Sequence, residues 1–129
     1  MLPGEHGHLE TRELWATAEQ LVASRLLYPE ARAALATASR AGRLDARQLR
    51  SSVGKVREVF DELRVIEVHP FIADGAGELA ERHALKGFDA VHLASALATG
   101  PTTVMATFDS RLAAAASREG LAVAPSITQ

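Results

Sequence analysis

Cysteine is absent from the 129 residues, which excludes disulfides, thiolate metal ligands and thiol nucleophiles together and suits a reducing compartment such as the cytoplasm. Aromatic residues are scarce, 5% against 47% hydrophobic residues overall, while alanine is abundant. The core must therefore be filled by small and aliphatic side chains between closely approaching helices, which favours helix-rich layers over a β-sandwich. No apolar run approaches the roughly 20 residues of a membrane span, and the opening Met1-Leu2-Pro3-Gly4-Glu5-His6-Gly7-His8 has no signal-peptide pattern. Neither a Gly-rich phosphate loop nor a serine-hydrolase elbow is present. The length fits one compact domain over residues 1–129.

The net charge of -2 hides an uneven distribution. Arg32, Arg40, Arg43, Arg47, Arg50, Lys55 and Arg57 face a single acid, Asp45, within the same stretch. Such an excess either neutralises phosphates or forms a solvated helical face.

Hydrophobic spacing gives the order of elements. Leu21-Val22-Ala23 reads as a strand, with Ser24 as the N-cap of a helix carrying Leu26, Leu27, Ala31, Ala34, Leu35 and Ala38 and ending at Ala41-Gly42. Asp45 caps a second helix whose Leu49, Val53, Val56, Phe60 and Leu63 form one apolar stripe, and the two helices make an antiparallel hairpin. Val65-Ile66-Glu67-Val68 is a second strand, and Pro70 opens a helix reaching about His83. Phe88 to Leu97 has almost no polar face, as expected of a helix buried on most sides. Thr103 to Ala106 is a third strand, Asp109 or Ser110 starts an alanine-rich helix ending at Gly120, and Leu121 to Ala124 is a fourth strand stopped by Pro125. Strands separated by helices imply a parallel α/β sheet.

Ligands of open parallel sheets bind beyond the carboxyl ends of the strands. Glu30, Asp89 and Asp109 are the acids expected at that edge. Clustering them costs about 4 kcal/mol per close pair at an effective dielectric near 20 unless protons or a cation compensate. An all-oxygen donor set suits a hard ion such as Mg²⁺ or Mn²⁺, able to activate water at a phosphodiester. Taken singly, each acid also has a structural explanation: Asp89 and Asp109 as N-caps, Glu30 as an exposed helix acid.

Three segments carry a resemblance. Ser24 to Leu35, with Tyr28-Pro29-Glu30, Gly87-Phe88-Asp89-Ala90-Val91-His92-Leu93-Ala94-Ser95-Ala96-Leu97, and Ala106-Thr107-Phe108-Asp109-Ser110-Arg111-Leu112 resemble the acidic motifs of VapC-type PIN domains, in the family's order. With Leu2-Pro3 and Pro125 at its ends, the resemblance covers nearly the whole sequence. It implies a PIN-like three-layer α/β/α fold with a short parallel sheet, metal-site and catalytic roles for Glu30, Asp89 and Asp109, and a supporting hydroxyl at Thr107. It also implies an RNA substrate, a VapB-type antitoxin as partner, and a homodimer. Arg43, Arg47 and Arg50 then become the expected RNA-binding side chains.

One departure accompanies it. Family members open with a strand ending in Asp-Thr/Ser-Ser/Ala, ahead of the segment resembling Leu2-Pro3-Gly4-Glu5, so the expectation is an N-terminally truncated domain without that first strand and its aspartate. Two functions follow: a metal-dependent endoribonuclease of a toxin-antitoxin system, or a catalytically impaired PIN-fold protein that titrates an antitoxin or binds RNA. His6, His8, His69, His83, His92 and Trp15 are expected to serve packing or hydrogen bonding rather than chemistry.

Overall fold

The computed structural model describes residues 22–124 apart from 101 and 108. Its elements are β1 (Val22–Ser24), α1 (Leu27–Arg40), α2 (Ala46–Glu62), β2 (Arg64–Ile66), α3 (Pro70–His83), α4 (Gly87–Ala98), β3 (Val104–Ala106), α5 (Ser110–Arg118) and β4 (Ala122–Ala124). The expectations for His6, His8, Trp15, Leu21 and Pro125 lie outside the described residues.

The strands pair in parallel, as their separation by helices requires. Val22 lies opposite Arg64 and Ser24 opposite Ile66 in one pair, and Val104 lies opposite Ala122 and Ala106 opposite Ala124 in the other. Among the described residues β1 and β3 are not hydrogen-bonded to each other, so the expected single sheet is two separate two-stranded pairs. What holds them in one body is α4, which packs on α3, β1, β3 and α5.

The composition of α4 explains that position. Ala90, Leu93, Ala94 and Ser95 are buried, and Leu93 is 0% exposed. Ser95 is tolerated inside because its Oγ donates to the Val91 carbonyl at 2.8 Å, satisfying the hydroxyl within the helix's own previous turn. Around Leu93 gather Ile72, Ala76 and Leu79 of α3, Met105 of β3, and Leu112, Ala115 and Ala116 of α5. Alanine at the contact positions lets the helices approach, as the composition implies. The apolar stripe of α2 is less covered than its spacing suggests, for no α2 residue is fully buried.

The helix termini follow their local chemistry with two exceptions. At α2 the Gln48 amide donates to Asp45 Oδ1 and the Asp45 amide donates to Gln48 Oε1, both at 2.8 Å, closing a capping box. Pro70 occupies the first position of α3, where no amide donor is needed. Ser24, expected to cap α1, is instead the last residue of β1, its backbone committed to the pairing with Ile66. Its Oγ accepts from the Leu26 amide at 3.2 Å, and Leu26 takes the N-cap position. The second exception is Ala84, which ends α3 in the left-handed region at φ 54°, a conformation usually left to glycine. Beyond it, Arg82 Nη1 and His83 Nε2 both reach Glu119 Oε2 at 2.7 Å, tying the end of α3 to the end of α5. These two partners, His83 first, hold the Glu119 carboxyl below its usual range.

Candidate active site

Glu30 lies in the first turn of α1, which leaves the carboxyl end of β1. Its Oε1 meets Nε2 of His92 on α4, 62 residues away in sequence. With Glu30 ionised, the imidazole N–H is the donor. The His92 side chain is 13% exposed and that of Glu30 31%, so this contact is partly shielded from water. Asp89 is half-buried in the first turn of α4, one helical turn before His92. Both residues therefore lie on neighbouring positions of one helix face, and the contact of Glu30 is with His92 on the helix that carries Asp89.

Asp109 is held differently. It is the N-cap of α5, where its Oδ1 accepts from the Leu112 amide at 2.9 Å, and its own amide donates to Thr107 Oγ1 at 3.0 Å. The Thr107 amide in turn donates to the Ala124 carbonyl at 3.0 Å. Thr107 thus braces the loop that presents Asp109 after β3. Asp109 as a residue is exposed to solvent, and one carboxylate oxygen remains free of the cap. Among the described residues no group of three histidine, aspartate or glutamate side chains is close enough together to hold an ion. The donor chemistry nevertheless matches a hard divalent cation, since Glu30, Asp89 and Asp109 offer only carboxylate oxygens.

The expected RNA-binding residues lie on different elements from these acids. Arg43 is in the exposed turn between α1 and α2, and Arg47 and Arg50 are exposed on α2. His92 is the partly buried, hydrogen-bonded histidine the sequence led one to expect, but its partner was not foreseen. The signal that pointed to His92 was its place three residues after Asp89, but its partner Glu30 carries no local trace of the contact.

Two parallel strand pairs with acids after β1 and β3 and at the start of α4 suit a PIN domain, and the chain matches the PIN domain family over residues 1–118. It belongs to that family, and within it to the VapC type. It is 41% identical over 126 residues, 97% of this chain and 88% of the relative, to Ribonuclease VapC45 of Mycobacterium tuberculosis (strain CDC 1551 / Oshkosh). The same identity and coverage relate it to Ribonuclease VapC49 of Mycobacterium tuberculosis (strain ATCC 25618 / H37Rv).

Proposed function

We propose that this protein is a metal-dependent endoribonuclease of a toxin-antitoxin system, with Glu30, Asp89 and Asp109 as its metal-site acids. The observation that carries the reading is the contact of Glu30 with the helix of Asp89 in a chain whose relatives are named ribonucleases. A bound Mg²⁺ or Mn²⁺ supplies charge neutralisation and an activated water at the phosphodiester. The chain's own residues do the rest. His92 fixes one oxygen of Glu30 and leaves the other without a hydrogen-bond partner among the described residues. Thr107 and the α5 cap fix Asp109, and Asp89 lies where the N-terminal end of α4 favours negative charge. Arg43, Arg47 and Arg50 attract the RNA backbone.

Family membership supports a VapB-type antitoxin as partner, and the exposed Phe71 and Phe88, 75% and 58% accessible, support association with that partner or with a second copy as a homodimer. A single domain over 1–129, working in the cytoplasm, is part of the same proposal. Among the described residues no helix is long and apolar enough to cross a membrane.

A second reading, a PIN-fold binding protein with impaired catalysis, is favoured by the lack of a closed three-residue metal group among the described residues. Incubating an RNA pool with the purified protein separates the two. Cleavage with Mn²⁺ and none with EDTA supports the nuclease; intact RNA under both conditions, from protein that still binds an antitoxin, leaves the binding protein.

The role of His92 has its own expected result. His92→Leu removes the donor to Glu30 and should weaken Mn²⁺ binding by roughly tenfold or more, the usual effect of losing a hydrogen-bond partner of a metal-site residue. His92→Gln keeps a donor near the same place and should recover most of that loss. Mn²⁺ titration followed by electron paramagnetic resonance measures both, and equal affinity in His92→Leu and the parent protein would remove His92 from the site.

A further inference from the structure

Tyr28, in the first turn of α1, accepts hydrogen bonds from two arginines at its phenol oxygen. Arg32 Nη1, one turn along the same helix, donates at 3.2 Å, and Arg57 Nε of α2 donates at 3.3 Å. The Arg32 guanidinium also lies over the ring, 5.8 Å from its centroid. On another side Phe60 of α2 meets the ring edge to face, with centroids 5.3 Å apart. An open pocket of about 300 Å³ is lined by Tyr28, Arg57 and Phe60 together with Arg25 and Asp61, and Arg32 stands next to it on the Tyr28 ring.

The charges in this cluster are not balanced. Among the described residues Arg32 and Arg57 form no ion pair, whereas Arg25 pairs with Glu67 and Arg82 with Glu119. Asp61 lines the pocket without pairing with either arginine. Each guanidinium carries five N–H donors, and a neutral phenol oxygen occupies only one from each. Their combined field, the Arg57 hydrogen bond first, holds the Tyr28 phenol below its ordinary value. Two cations converging on a neutral acceptor are unfavourable until an anion joins them, and planar guanidinium forks match phosphate oxygens in pairs.

The surface leading to the pocket has the same sign. At 100° per residue, Arg47, Arg50 and Arg57 fall within about 80° of arc on one flank of α2 and span about 15 Å along it. On α1, Tyr28 and Glu30 are about 200° apart around the helix. Tyr28 accordingly faces α2 while Glu30 faces His92 of α4, so the pocket and the candidate active site flank the same helix start.

We propose that the pocket lined by Tyr28 and Arg57, with Arg32 beside it on the Tyr28 ring, binds one nucleotide of single-stranded RNA, its phosphate on the Arg57 and Arg32 guanidinium groups and its base against the Tyr28–Phe60 pair. The arginine flank of α2 guides the strand toward the pocket, and a neighbouring phosphodiester crosses the start of α1 to Glu30. Single-stranded RNA is the fitting ligand because only an unpaired base offers its face to an aromatic ring. This proposal rests on the RNA-substrate reading above.

Fluorescence anisotropy with a labelled oligouridylate of about ten nucleotides, in EDTA to prevent cleavage, tests it. Arg32→Gln combined with Arg57→Gln should weaken binding by about tenfold and lower the salt slope by about 0.7 for each arginine removed. Tyr28→Ala should weaken it about tenfold through lost stacking, Tyr28→Phe by about twofold or less. Arg118→Gln, at the end of α5, should bind as the parent protein does. The Mn²⁺-dependent rise in melting temperature should persist in the double variant, which also establishes that it is folded. Parent protein that fails to bind the oligonucleotide overturns the RNA reading and the pocket together. Parent protein that binds, with unchanged affinity and slope in the double variant and in Tyr28→Ala, overturns the pocket alone. Loss of polyglutamate binding with RNA binding intact would assign the pocket to an acidic protein partner and likewise overturn the proposal.

Discussion

Asp89→Asn combined with Asp109→Asn should lower metal-dependent RNA cleavage by about 100-fold or more while leaving the fold intact. The magnitude follows from the charge stabilisation a divalent ion supplies, several kcal/mol, with about 1.4 kcal/mol corresponding to tenfold in rate. The intact fold follows from the choice of asparagine. Asp109 caps α5 through Oδ1, and asparagine caps helices about as well as aspartate, whereas alanine there would cost about 1 kcal/mol. Asp89 contributes no buried apolar surface that asparagine would lose. Mn²⁺ should raise the melting temperature of the parent protein by binding the folded state, and the double variant should lose most of that rise. A metal-induced shift of unchanged size in the variant would show that these acids do not hold the ion.

Leu93→Ala should act in the opposite way, destabilising the protein by about 3 kcal/mol and lowering its melting temperature by about 10 °C. Leu93 is fully buried on the helix that packs against both strand pairs and against α3 and α5. Its truncation leaves a cavity among Ile72, Leu79, Met105 and Leu112, whose partial relaxation leaves most of the lost contact energy unrecovered. About 3 kcal/mol is a large share of the 5–15 kcal/mol by which domains are ordinarily stable. Leu93→Met conserves volume and should cost less than about 1.5 kcal/mol. Chemical denaturation of the three proteins measures the difference. If Leu93→Ala unfolds at the parent's midpoint, α4 is not the element that unites the two strand pairs. Together the two experiments separate chemistry from architecture on one helix, since Asp89 is half-buried at its start and Leu93, one turn on, is fully buried.

The sequence by itself determined the elements whose signals are local. Asp45 and Gln48 announce the start of α2 because a capping box is closed within four residues, and Pro70 opens α3 because its missing amide matters least there. The strands were legible as short apolar runs between helices, and their parallel pairing followed from the connections. The acidic positions Glu30, Asp89 and Asp109 were legible as motifs, and with them the PIN family. Tertiary structure alone decided the rest. Ser24 joins β1 instead of capping α1 because pairing with Ile66, 42 residues on, claims its backbone first. Ala84 ends α3 in a left-handed turn with no glycine to announce it. That α4 is buried was legible in its near-continuous apolar surface, but the separation of the strand pairs and its packing against both depend on contacts that no periodicity encodes. So do the meetings of His92 with Glu30 and of Arg57 with Tyr28, because a side chain's partner across the fold is set by where the chain folds back, not by the residues beside it.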